Sequence, residues 1–137
     1  MLIQEIKIDD NFYITVSDLN NKNLPNLNLF SIFNQKDFLK LHGDLNISVF
    51  QLYKFNKNEC IGVVNFLNEG DSFHSPCRGS YGGFEFKDGI NYETKYKFIE
   101  STINFIRLKK IKNINIKVAP QIYNISESSE INSILHN

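Results

Sequence analysis

A chain of 137 residues with 42% hydrophobic residues and 12 Phe carries enough apolar surface for the core of one domain, here taken as residues 1–137. Its 15 basic and 15 acidic residues cancel, which removes the global attraction that nucleic acid or an anionic membrane surface would exploit. No run approaches the roughly 18 to 20 apolar residues that span a bilayer, and two cysteines make no disulfide framework, so a reducing, cytoplasmic location is expected.

The N-terminus reads as a mature strand, because Asp9-Asp10 stands where a secretory signal would need continuous apolar sequence. Leu2 to Ile8 and Phe12 to Val16 predict two short strands broken at Asp9-Asp-Asn11. Asn20 to Asn28 is chemically a loop, and the apolar spacing of Leu29, Phe30, Phe33, Phe38, Leu39 and Leu41 predicts one or two helices ended by Gly43. Ile47 to Phe55 and Cys60 to Leu67 flank the polar Asn56-Lys-Asn-Glu59, the signature of a hairpin in mid-sheet.

A loop is expected from Asn68 to Gly79, then a strand from Tyr81 to Phe86 and a turn at Asp88-Gly89. Tyr92, Tyr96, Ile99, Ile103 and Ile106 recur at helical spacing, predicting an amphipathic helix over Tyr92 to Leu108. Ile114, Ile116 and Val118 alternate with polar residues before Pro120 stops a strand. Ser126 onward predicts a capped helix whose Ile131, Ile134 and Leu135 have little chain left to cover them, so packing on a second domain, another copy or a missing continuation is expected. The whole order predicts an α/β (α+β) fold, a mixed and largely antiparallel sheet flanked by helices.

Ser75-Pro-Cys-Arg-Gly-Ser-Tyr-Gly-Gly-Phe-Glu-Phe86 gathers Gly79, Gly82 and Gly83, three aromatics and one of only two arginines, Arg78 and Arg107. Glycine lets main-chain amides approach a ligand, and Ser75, Arg78, Ser80, Tyr81, Gly82, Gly83 and Glu85 form the candidate binding set. Arg78 can clamp a carboxylate or phosphate, and Glu85 can serve as a general base. Glycines and aromatics also gather at a bulge and tight turn on a sheet edge, and a charged residue between Phe84 and Phe86 is also what a solvent-facing strand position carries.

The segments Phe66-Leu-Asn-Glu-Gly70 and Ser75 to Phe86, followed by a long helix and a strand ending at Pro120, resemble the N-terminal half of GNAT-fold proteins related to the FemAB aminoacyltransferases of bacterial cell-wall bridges. The resemblance covers about residues 28–124. It implies transfer of an acyl or aminoacyl group to an amine, a small molecule or cell-wall-precursor-like substrate, from acyl-CoA or aminoacyl-tRNA. The family's CoA-pyrophosphate loop is not found: Lys87-Asp-Gly-Ile-Asn-Tyr-Glu-Thr94 keeps one glycine and sets Asp88 and Glu93 where an anion would bind. In FemAB-like proteins the first of two such domains also lacks that loop. Two expectations follow: either the chain is incomplete at its C-terminus, the N-terminal half of a two-domain protein with a second GNAT-like domain as partner, or the domain acts as a non-catalytic, substrate-binding half.

Two other classes stay open. Arg78 to Phe86 echoes the RNA-recognition motif, with Tyr13 to Leu19 as its partner strand, although inserted residues split the stacking pair between sheet faces. A structural or interaction domain without catalysis is the third reading. His74-x-x-Cys77 has metal-like spacing but no second pair, so no zinc site is expected.

Overall fold

The computed structural model describes residues 4–18, 46–55, 59–75, 83–116, 131 and 133–135. The predicted Asn-rich loop, the helices over 29–41, and Val118 and Pro120 lie outside these residues. Strands β1 (Gln4–Lys7) and β2 (Phe12–Asp18) form an antiparallel hairpin with Lys7 opposite Tyr13. Asp9 makes its turn: one carboxylate oxygen accepts the backbone N–H of Asn11 at 2.8 Å and of Phe12 at 3.0 Å, the local bonding for which Asp is favoured in turns.

β3 (Ile47–Lys54) and β4 (Glu59–Glu69) pair antiparallel in the middle of the sheet, and their long apolar runs are buried on both faces. The register slips between Leu52, opposite Gly62, and Tyr53, opposite Cys60, so Ile61 is the extra residue of a bulge. Past a turn at Gly70, whose φ is 61°, the short strand β5 (Ser72–Ser75) folds back on β4 with Leu67 opposite His74. This strand replaces part of the loop expected over Asn68 to Gly79. Its four residues carry one apolar side chain, Phe73, too few for a period-2 pattern to register.

The strand expected over Tyr81 to Phe86 is paired only at β6 (Glu85–Phe86), where Glu85 faces Val63 and Phe86 faces Gly62 on β4. After the turn at Asp88-Gly89 comes helix α1 (Tyr92–Leu108), with the predicted bounds. Asn91 caps it by accepting the N–H of Thr94 at 2.9 Å, and Lys110 at φ 62° marks its exit. The backbone N–H groups of Lys112 and Asn113 then bond to the Asp71 carbonyl at 2.8 and 3.3 Å, aligning β7 (Asn113–Ile116) parallel to β5. The described residues form an α+β fold on a mostly antiparallel, mixed sheet of seven strands, ordered β1-β2-β3-β4-β5-β7, with β6 also on β4.

One sheet face packs on α1. Val16, Phe50, Leu52, Phe66, Phe73, Phe84 and Phe86 share one buried cluster with Phe98, Ile99 and Ile106 of the helix. Phe98 meets Phe84 and Phe86 edge-on, with ring centroids 5.6 and 5.7 Å apart. The helix buries Thr94, Lys95, Phe98, Ile99, Thr102 and Ile106, whereas Tyr92 and Tyr96, expected on its apolar face, are exposed. A tyrosine can satisfy helical spacing from the rim of the stripe because its hydroxyl prefers water.

Ile131 and Ile134 are buried in this same cluster and Leu135 packs partly against it. The chain's own core thus covers Ile131 and Ile134. No described helix is long and apolar enough to cross a membrane.

Candidate functional site

The sheet changes character at β5. Its antiparallel partner is β4 and its parallel partner is β7, reached through α1. In open sheets with parallel strands, ligands are received beyond the carboxyl ends, where the strand order switches. Here those ends are Ser75 and Ile116, paired side by side.

Among the described residues the register on β4 changes across the same stretch. Between the pair Leu67 with His74 and the pair Val63 with Glu85, β4 advances only over Val64, Asn65 and Phe66, while the facing strand takes up Ser75 to Phe84. Arg78, Ser80, Tyr81, Gly82 and Cys77 lie outside the described residues, which leaves Ser75, Gly83 and Glu85 to be placed.

Ser75 closes β5 and is 2% exposed, and its hydroxyl has no hydrogen-bond partner among the described residues. It shares the α1 side with Phe73. Gly83 is buried with φ 83°, a left-handed backbone that suits glycine. Glu85 lies between Phe84 and Phe86, both turned onto Phe98, so its half-buried carboxylate points to the opposite face. The two described polar candidates therefore occupy different faces of the sheet, and only Glu85 stands on the side away from α1.

That opposite face holds polar groups the candidate set missed. Register places Thr15, Gln51, Val63 and Glu85 in one row across β2, β3, β4 and β6, and Ser17, Val49 and Asn65 in the next. Ser17, Gln51 and Asn65 are all buried. The Gln51 carbonyl oxygen accepts from the Tyr53 hydroxyl at 3.4 Å, while its amide nitrogen and the Ser17 hydroxyl have no partner among the described residues. The signal was present: Gln51 and Asn65 are each the lone polar residue within an apolar run.

Burial dominates the acid–base character here. It pushes the Tyr53 phenol well above its ordinary value, and it raises the Cys60 thiol to about 12; the thiol donates a hydrogen bond to the Gly62 carbonyl at 3.3 Å. Cys60 is thus no thiolate nucleophile near neutral pH. His74 is engaged by its neighbours, with Nδ1 3.1 Å from the Asn115 amide and Nε2 3.8 Å from a Glu69 carboxylate oxygen. Among the described residues no cluster of three or more His, Cys, Asp or Glu could hold a metal ion.

The N-terminus of α1 is the position at which a GNAT-like protein would hold the CoA pyrophosphate. The residues here do not fit that group. Asn91 already occupies the cap, Glu93 lies in the first turn and pairs with Lys97 at 3.3 Å, and Asp88 is exposed beside them. Their negative charge opposes a second anion. Phe84 and Phe86 are 4% and 5% exposed, so they offer no ring face for the base stacking that the RNA-recognition echo requires. Compared with protein-family models, curated proteins and solved structures, the chain matches none.

Proposed function

We propose that this chain is a GNAT-like, FemAB-related domain of an acyl or aminoacyl transferase, serving as the substrate-binding half that receives the amine acceptor rather than the acyl-CoA. The observation that carries this reading is the parallel β5/β7 pair beside the register change on β4 between Leu67–His74 and Val63–Glu85, with Glu85 facing away from the helix. Glu85 supplies the chemistry an amine needs: its carboxylate accepts hydrogen bonds from an ammonium group and can take the proton that the nitrogen loses on attacking an acyl carbon. The filled and acidic cap of α1 supports a division of labour in which the acyl donor is held elsewhere.

The test is calorimetric titration of the full chain with three probes: a lysine-bearing peptide of the cell-wall stem type, acetyl-CoA and a short RNA. The peptide is expected to bind saturably, to lose binding when its side-chain amine is acetylated, and to bind roughly tenfold more weakly to Glu85→Gln, the scale of one charge-assisted hydrogen bond. Saturable acetyl-CoA binding would overturn the assignment of the donor to another site. Salt-sensitive RNA binding would replace the reading by a nucleic-acid one. Silence with all three would leave an interaction domain.

A further inference from the structure

Among the described residues the exposed large apolar side chains are Tyr92, Tyr96 and Leu108, and all three stand on α1. Tyr96, Glu100, Ile103 and Arg107 follow one another along this helix at spacings of four, three and four, so they share one stripe, with the spacing of a helix–helix seam. Tyr96, Glu100 and Arg107 are exposed and Ile103 is half-buried.

The chain itself leaves the charges of this stripe unbalanced. Lys97 is taken by Asp9 and Glu93. Glu100 accepts a hydrogen bond from the Tyr96 hydroxyl but, like Arg107, forms no ion pair among the described residues. Seven residues apart, these two charges are separated by roughly 10 Å along the helix axis, too far to meet. A second α1 laid antiparallel on the first answers both at once, because the order acid, apolar, base is its own complement when reversed about a two-fold axis between Ile103 and Asn104. A parallel helix in the same register would set like charge on like.

We propose that the α1 stripe is the docking surface for a second copy of this chain, with Glu100 of each subunit on the partner's Arg107, the two Ile103 side chains together at the axis, and Tyr96 over the end of the partner helix. Tyr92 lies beyond the overlap. Only about ten residues of each helix face one another, less than the roughly 20–30 residues a side of a stable interface, so the dimer is weak. The surface is separate from the amine site.

Sedimentation equilibrium of the full chain from about 10 μM to 1 mM tests it. The expected result is a monomer–dimer equilibrium with a Kd on the order of 100 μM, weakened roughly tenfold or more by Glu100→Arg and by Arg107→Glu. An equimolar mixture of the two variants should regain the association, since one subunit then carries two positive charges at the seam and the other two negative. Both positions are exposed, so neither variant disturbs the fold. A chain that stays monomeric up to about 1 mM would overturn the assignment and leave the stripe to a different protein. Association unchanged by either substitution, or a mixture no tighter than its components, would overturn it too. None of these outcomes touches the amine-site reading, which is tested at Glu85.

Discussion

Gly62 is where the sheet, the bulge and the aromatic core meet. A Cβ built there would stand 3.0 and 3.1 Å from two Phe86 ring carbons and 3.3 Å from the Leu52 Cβ, so glycine makes room for Phe86 to lie across β4. Gly62→Ala is expected to destabilise by about 1–3 kcal/mol in denaturant unfolding, the usual cost of overpacking a core. Gln51 is predicted to behave in the opposite way. It is buried with an unanswered amide, a condition that costs about 1–3 kcal/mol, against one long hydrogen bond from Tyr53. Gln51→Met should therefore leave the thermal midpoint unchanged or raise it, and a fall of several degrees would show that its hydrogen bonding is structural. At this scale Ser75, Gly83 and Glu85 were legible as an unusual cluster in the sequence. Their division between two faces was not, because face assignment depends on a register that the inserted residues hide.

At the scale of elements, α1 was readable to its ends because a cap, a turn and a long 3.6-residue period all agree there. Its apolar face was only half readable. Phe98, fully buried and in edge contact with two phenylalanines, is expected to cost about 3–5 kcal/mol as Phe98→Ala, while Tyr92→Ser should change stability by less than about 0.5 kcal/mol. Parallel unfolding curves for these two variants check which face the helix buries. β5 was missed for the opposite reason: its ladder bonds to β4 and β7 hold it as a strand, and such tertiary pairing leaves little trace in local composition.

At the scale of the molecule, an ion pair ties the first hairpin to the helix, beside the apolar packing of Ile14 and Val16. Asp9, at the β1–β2 turn, lies 3.0 Å from the Lys97 ammonium on α1, which also pairs with Glu93. The Asn11 backbone N–H, and then Lys97, hold the Asp9 carboxyl below its ordinary value of 3.8 despite partial burial. A carboxyl depressed on folding contributes stability that is complete above its unfolded value and is lost as pH falls through its folded one. Unfolding followed from pH 7 down to acid should therefore show a decline beginning near pH 4, smaller in Asp9→Asn. The seven-stranded order and the parallel β5/β7 pair belong to this scale as well. The sequence carries them only as an element order, since nothing local to Asn113–Ile116 says which strand it will join.

The proposed amine site lies beside the register change on β4, between the Leu67–His74 and Val63–Glu85 pairs. Backbone amide shifts recorded during titration with the lysine-bearing stem peptide test it most directly. The account predicts perturbations concentrated at Val64 to Phe66, Gly83 and Glu85, with α1 beyond its first turn unmoved. Saturable binding whose shifts map instead to the exposed Tyr92 and Tyr96 face of the helix, or to the β1 edge, would contradict it.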